Sequence, residues 1–250
     1  MGVADLHVHT SASWDANACV EDVLVRAESV GLDVIAITDH NTTDGALEAA
    51  KIAARLDNGV EVIVGEELDT QHGHLLGLFL RECIPPRLSF AETILRIHEQ
   101  GGLAIVPHPG GPLPWHATPR RITGNCHRLD GLEVSSTSWF ANVGRKGALH
   151  RNRTLYKLAL TGGSDAHCLA AVGQCVTLFP GHSAEDLRRS LVECGTTARG
   201  EPLPLVKGLY ALGVRAKEAV GKARFVETPY YESLTTWARQ DAEEATRTDG

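Results

Sequence analysis

Histidine is the residue type that stands out in this sequence, with twelve copies, several of them in close pairs. His7 and His9 lie two residues apart at the end of an apolar segment that is typical of a β-strand. Side chains two residues apart on a strand point to the same face, so both imidazoles are placed to bind one metal ion. An H-x-H pair alone is not specific, because paired histidines also occur as surface or hydrogen-bonded residues.

The pattern becomes specific because it recurs, with histidines and acids beside one apolar segment after another. In α/β sheets and barrels the functional groups gather at the carboxyl ends of strands, so we expect these side chains to meet. A mixture of imidazole and carboxylate favours Zn, Mn or Fe over Mg or Ca. Besides His7 and His9, the residues in this pattern are Asp15, His40, Glu66, Glu67, His74, His108, Asp165 and His167.

Such a cluster predicts hydrolysis without a nucleophilic side chain. A carboxylate can bridge two cations, and the cations lower the pKa of a bound water and stabilise charge that develops on a phosphoryl oxygen. The sequence contains no G-x-S-x-G element, which argues against a serine hydrolase, and its Gly-Gly pairs form no phosphate-binding loop. We interpret the remaining histidines as bystanders: His72, His98, His116, His127, His150 and His182.

Short apolar segments alternate with segments of helical period, which favours an α/β fold with a mainly parallel sheet. Seven or eight strands in one chain favour a barrel over an open sheet. Ser183 is a predicted N-cap. We predict strands at residues 3–9, 34–38, 60–64, 75–80, 103–107, 132–134, 158–161 and 176–179, and helices at 20–30, 43–56, 90–100 and 184–194.

Past residue 199 the pattern changes, since prolines interrupt it and two mostly charged stretches of helical period follow, at 205–222 and 232–246. We therefore expect a barrel over residues 1–200 and a C-terminal helical extension over 201–250 that is not an independent domain. This organisation fits a chain of 250 residues, which is long enough for one sizeable core.

The composition excludes several classes of protein. The formal net charge is -7, unlike a basic protein that binds nucleic acid stably, although a metal cluster could still attract a nucleotide. No apolar stretch approaches 18 residues, so no membrane span is expected. The start of the sequence lacks a signal-peptide pattern, and the six cysteines form no C-x-x-C pair. A cytoplasmic protein with reduced thiols is the expectation. The sequence does not indicate the oligomeric state.

Read together, these motifs resemble the polymerase and histidinol phosphatase (PHP) family in order and spacing, from about Gly2 to Arg199. The resemblance implies a distorted (β/α)7 barrel that binds two or three divalent metal ions, Mn, Fe or Zn, and hydrolyses phosphomonoesters or phosphodiesters. The motifs that carry it are Asp5-Leu6-His7-Val8-His9-Thr10, Thr38-Asp39-His40, Gly65-Glu66-Glu67, Gly73-His74, Pro107-His108-Pro109, Gly131-Leu132-Glu133-Val134 and Gly163-Ser164-Asp165-Ala166-His167.

The resemblance also implies which residues bind each metal ion. Glu67 rather than Glu66 is the implied acid, because the family's acid precedes an apolar residue and Leu68 follows Glu67. Having Asp15 after H-x-H is similar to the branch that acts on nucleotides or small molecules. The implied ligands are His7, His9, Glu67 and Asp165 for one ion, Glu67, His74 and His108 for a second, and Asp15, His40 and His167 for a third. The candidate catalytic residues are Asp165, as a ligand, and His40 and His167, either of which passes a proton to the leaving oxygen if it is not occupied by metal.

The expected substrate is a small phosphorylated molecule, for example a nucleotide. Phosphate recognition needs cations beyond the metals, and the candidates are Arg145, Lys146, Arg151 and Arg153, which could equally form a solvated basic helix. Trp115 and Trp139 could stack on a base or cover the core. Two other functions stay open: hydrolysis of an amide, ester or carbamate at the same cluster, and a non-catalytic metal-binding subunit.

Overall fold

The computed structural model describes residues 1–56, 59–140 and 142–200, so the predicted helices at 205–222 and 232–246 lie outside the described residues. The strands are β1 (Gly2–Val8), β2 (Val34–Ile37), β3 (Glu61–Thr70), β4 (Gly73–Leu78), β5 (Leu103–Val106), β6 (Gly131–Ser135), β7 (Ala159–Gly162), β8 (Cys175–Phe179) and β9 (Thr197–Gly200). The helices are α1 (Val20–Ser29), α2 (Asp44–Leu56), α3 (Phe90–Glu99), α4 (Pro119–Asn125), α5 (Arg145–Arg151) and α6 (Ala184–Val192). As predicted, Ser183 caps α6, where it forms a capping box with Asp186.

The strands form one mixed sheet in the order β7-β6-β5-β4-β3-β2-β1-β8-β9. Side-chain hydrogen bonds join its two ends: Thr177 on β8 bonds to the N–H and the carbonyl of Gly162 on β7, and Ser135 on β6 donates to the carbonyl of Gly200 on β9. A Cβ at Gly162 would lie 2.4 Å from the Val176 carbonyl oxygen, so the close approach across this seam requires glycine. The α/β barrel predicted from the sequence is confirmed.

Three details of that prediction were wrong. The described residues contain nine strands rather than seven or eight, and β3–β4, β4–β5, β1–β8 and β8–β9 are antiparallel. Glu66 and Glu67 were expected to end the third strand, but they lie in the middle of β3. The pattern misled because these acids are buried, so the strand continues through residues that are usually found in turns.

One end of the barrel is filled and the other carries the site. Helix α6 contacts β3, β7 and β8, and Leu187 and Leu191 pack with Ala4, Leu6 and apolar residues of the other strands. The pairing of β1 with β2 shifts register between Asp5 and Val8, and Val8 packs with α1 and α2 instead. Ala4 and Leu6 point into the barrel, and the irregularity shifts the alternation by one residue, so that His7 and His9 point into it as well. No described helix is long and apolar enough to cross a membrane.

Candidate metal centre

Glu67 lies at the centre of the cluster and is almost completely buried. Its Oε2 lies 3.1 Å from Nε2 of His7, 3.3 Å from Nε2 of His9 and 3.5 Å from Nε2 of His40. Its Oε1 lies 2.8 Å from Nδ1 of His74 and 3.1 Å from Nε2 of His108. One carboxylate therefore faces histidines from β1, β4 and the loops after β2 and β5, which is the arrangement expected of an acid that bridges two cations.

Asp165 and Asp15 complete the cluster from the other side. The Oδ1 of Asp165 lies 3.5 Å from Nε2 of both His7 and His9, and the Oδ2 of Asp15 lies 2.9 Å from Nε2 of His167. All nine predicted ligands thus lie together. Eight of the nine form three groups that could each hold a metal ion: His7, His9, Glu67 and Asp165; His9, Asp15, His40 and His167; and His40, Glu67 and His74. His108 belongs to none of these groups, although its Nε2 faces Glu67.

The directions of the hydrogen bonds fit a bound cation. Nδ1 of His167 donates to the carbonyl of Asp165, so a neutral His167 turns only a lone pair toward Asp15. Two acceptors 2.9 Å apart repel each other unless a proton or a cation lies between them. Among the described residues, Nε2 of His9 is buried without a hydrogen-bond partner, which a coordinated ion would supply. The donor set suits Zn, Mn or Fe.

The pKa values of the cluster residues also show a strong attraction between its carboxylates and its histidines. Burial acts to raise the pKa of Glu67, but the charges of His7 and His74 outweigh it and hold that pKa well below its usual range. Burial acts to lower the pKa of His9, yet the neighbouring carboxylates of Asp165 and Glu67 raise it to about 9. The pKa of His74 rises to about 10, since the charge of Glu67 outweighs burial. In the absence of metal ions, protons therefore balance the carboxylates.

Backbone strain accompanies the cluster. His108 has φ 34°, Asp165 has φ 53° and Asn41, which follows His40, has φ 55°. Residues other than glycine rarely adopt these values, and such strain collects at functional sites. Asp39, beside His40, anchors the loop after β1 by accepting hydrogen bonds from the N–H and the hydroxyl of Thr10.

Glu66 takes no part in the cluster. Its side chain points to the opposite face of β3, where it accepts hydrogen bonds from the N–H of Ile84 and from the thiol of Cys83. Burial raises the pKa of Glu66 to about 7. The two neighbouring acids therefore face different surroundings, as successive side chains on a strand must.

Sequence reasoning missed four residues that adjoin the cluster. Glu133 contacts His7 and the N–H of His108, and Asp69 lies 3.0 Å from Nε2 of His74. His116, interpreted as a bystander, is buried with its ring centroid 4.5 Å from that of His108. Trp14 stacks on His40. Glu133 belongs to a motif that was recognised, but nothing in the sequence indicates the contacts of the other three residues.

The predicted substrate-binding residues lie along α5 and the π-helical turn that follows it, Asn152–Tyr156. Lys146, Arg151 and Arg153 are exposed, and Arg151 bonds to the carbonyl of Gly147. Arg145 is half-buried, and its charge acts on the buried thiol of Cys175. Arg145 is the least exposed of the four, and a role in binding phosphate stays a prediction for all of them.

Comparison with known proteins gives relatives of several kinds. An uncharacterised protein of Methanocaldococcus jannaschii is 46% identical over 141 residues, which cover 52% of this chain and 80% of the relative. A 3',5'-nucleoside bisphosphate phosphatase of Chromobacterium violaceum is 27% identical over 212 residues, 77% of this chain and 71% of the relative. A two-domain Bacteroides vulgatus protein with a PHP-like metal-dependent phosphoesterase domain, predicted as such, has a similar fold, with a TM-score of 0.66 and 19% identity over 80% of this chain and 64% of that one.

Family models agree with these relatives. The model described as the PHP domain matches residues 5–143, more than half of the chain, and one described as PHP-associated matches residues 150–194. The matched residues contain the histidines and acids of β1, β3 and β4 and of the segments that follow β1, β2 and β5. The resemblance found in the motifs is confirmed, and the chain belongs to the PHP domain family.

Proposed function

We propose that the protein is a metal-dependent phosphoesterase that hydrolyses a small phosphomonoester or phosphodiester, such as a nucleotide. The observation that carries this proposal is the position of Glu67, whose two carboxylate oxygens face five histidines in a buried cluster. Two or three divalent ions held there would activate water and stabilise negative charge on a phosphoryl group. The predicted ligands are the nine residues named above, with Glu67 as the bridge.

His40 is the better of the two proposed proton carriers. Both ring nitrogens of His167 are already engaged, by the Asp165 carbonyl and by Asp15. His40 turns Nε2 to Asp15 and Glu67, whereas its Nδ1 has no hydrogen-bond partner among the described residues. We propose that His40 delivers a proton toward the leaving oxygen if it is not occupied by a metal ion. Asp165 contributes as a ligand, by holding charge beside His7 and His9.

Two exposed tryptophans support a substrate with a flat ring. Trp14 is 82% exposed and stacks on His40 with the ring centroids 5.9 Å apart. Trp115 is 46% exposed and stacks on His74, with centroids 6.5 Å apart. Neither residue covers the core, and a nucleobase stacks well on exposed indole. The nucleotide phosphatase among the relatives is in keeping with this substrate class.

The experiment combines ion content with a substrate panel. Purified protein is loaded with Mn²⁺, Fe²⁺ or Zn²⁺ and offered nucleoside bisphosphates, other phosphomonoesters, phosphodiesters, carboxyl esters and amides, with and without chelator. Phosphate release that chelator abolishes supports the proposal. Turnover of carboxyl esters or amides alone would replace it with the alternative hydrolase, and no turnover with ions bound would leave a non-catalytic metal protein. Trp14→Ala and Trp115→Ala should raise KM for nucleotides and leave KM for glycerol 3-phosphate, which has no aromatic ring, unchanged if the indole rings hold a base.

A further inference from the structure

Glu133 on β6 is a buried carboxylate that contacts two of the proposed metal ligands without belonging to any group of atoms that could hold an ion. Its Oε1 lies 3.0 Å from Nδ1 of His7. Its Oε2 accepts a hydrogen bond of 3.0 Å from the backbone N–H of His108. Both carboxylate oxygens of Glu133 therefore bond to residues of the cluster, on the side of His7 that faces away from Glu67.

The contact with His7 fixes which nitrogen faces the centre. A carboxylate can only accept, so Nδ1 of His7 must carry the hydrogen that it donates to Glu133. A neutral ring then turns its lone pair at Nε2 toward Glu67 and Asp165, whose oxygens lie 3.1 and 3.5 Å away. A carboxylate behind a ligating histidine sets its tautomer and ring orientation in this way.

The contact with His108 holds a strained backbone. His108 has φ 34°, and its ring is directed so that Nε2 lies 3.1 Å from Oε1 of Glu67. His7 faces the other oxygen, Oε2. One carboxylate thus orients a histidine on each side of the proposed bridge, and the side chain of Glu133 connects the two ion positions that would share Glu67.

We propose that Glu133 is a positioning residue that supports both ion positions at Glu67, so its loss weakens both together. This inference rests on the metal centre of the proposed function. The test measures ion binding rather than turnover, by titrating metal-free protein with Mn²⁺ and Zn²⁺ against a chromophoric chelator. The variants are Glu133→Gln, which removes the charge, and Glu133→Asp, which keeps the charge but is one methylene too short to reach both partners. Circular dichroism and thermal melting of the metal-free proteins check the fold.

Glu66→Gln is the matched control, because Glu66 is also a buried acid on a strand of the barrel, β3, and bonds to Cys83 and Ile84 rather than to a histidine. We expect Glu66→Gln to bind ions like the wild type, and both Glu133 variants to bind about 10–100-fold more weakly at two positions. Wild-type affinity in the folded Glu133→Asp protein, with only its melting temperature lowered, would reduce Glu133 to a structural role and overturn the inference. Equal weakening in Glu66→Gln would overturn it as well. A wild-type protein that binds no ion would overturn the metal centre itself.

Discussion

The rings of His9 and His167 stack with centroids 4.3 Å apart and planes only 19° from parallel, although the residues are separated by most of the described chain. His9 follows β1, whereas His167 follows β7, and β1 and β7 are not neighbours in the order of the sheet. The backbone also joins these segments, since the N–H of His9 donates to the carbonyl of Ala166. The stacked pair therefore lies where curvature of the barrel brings its distant strands together.

Because His9 belongs to two of the three groups of possible ligands, its loss should affect two ion positions. We predict that His9→Asn retains at least one ion fewer than His74→Asn, whose histidine belongs to one group. Elemental analysis after dialysis gives the ion content. His98→Asn is the control, since His98 pairs with Asp130 at the surface, and it should retain the wild-type content. Equal ion contents in His9→Asn and His74→Asn would contradict the prediction.

The adjacent acids Glu66 and Glu67 should differ sharply in function. We predict that Glu67→Gln lowers kcat/KM about 100-fold or more, because one substitution removes the carboxylate that five histidines face. Glu66→Gln should stay within about threefold of the wild type, since its partners are Cys83 and Ile84. The measurement is kcat/KM of both variants on the best substrate of the panel. If Glu66→Gln lost activity and Glu67→Gln kept it, Glu66 rather than Glu67 would be the bridging acid.

These acids also show how far the sequence alone could go. The alternation of strands and helices predicted the barrel, and the repeated histidines and acids predicted a cluster that the structure assembles. The antiparallel direction of β4 was not predictable, since β3 and β4 pair through a tight turn at Gln71–His72 that leaves no signal in the hydrophobic period. The burial of Glu66 beside Cys83 depends on side chains distant in sequence, as does the packing of His116 on His108.

Metal binding should release protons. Without ions, His9 and His74 have pKa values of about 9 and about 10, so both are protonated at pH 7, whereas ligating histidines must be neutral at the coordinating nitrogen. The pKa values of His9 and His74 in the folded protein are raised above the ordinary value of histidine. As the pH falls below these raised values, protons compete more strongly with metal ions for the two rings. We predict net proton release on Mn²⁺ or Zn²⁺ binding at pH 7, and affinity that rises with pH from 6 to 8. Calorimetry in buffers of different ionisation enthalpy measures the number of protons released. If no protons are released, the prediction is contradicted.

His116 should make the metal-free protein sensitive to acid. Burial, aided by the charge of His108, lowers the pKa of His116 to about 4 from the ordinary value of 6.5. The unfolded chain then binds a proton at higher pH than the folded protein does, so stability is lost as pH falls from about 6.5 to 4. We predict that His116→Asn, whose amide oxygen can accept the N–H of Leu113 as Nδ1 now does, loses less stability than the wild type over this range. Urea unfolding with chelator at pH 7.5 and 5 compares them, and equal losses would count against the prediction.

The last prediction concerns Gly163, which lies against the pair formed by His7 and Glu133. A Cβ at this position would lie 2.5 Å from the Cβ of His7 and 2.6 Å from Oε1 of Glu133. Neither neighbour can move without disturbing their mutual hydrogen bond, so Gly163→Ala should cost about 1–3 kcal/mol of stability and weaken ion binding.

Gly124 in α4 is the matched position, because a Cβ there meets nothing within 4 Å. Alanine is the better helix former, so Gly124→Ala should leave stability unchanged or raise it by up to about 1 kcal/mol. Urea unfolding and ion titration of the two variants separate the effect of a lost glycine from the effect of crowding His7. If Gly163→Ala binds ions as Gly124→Ala does, the orientation of His7 tolerates the added methyl group, and the tight packing around it does not determine ion affinity.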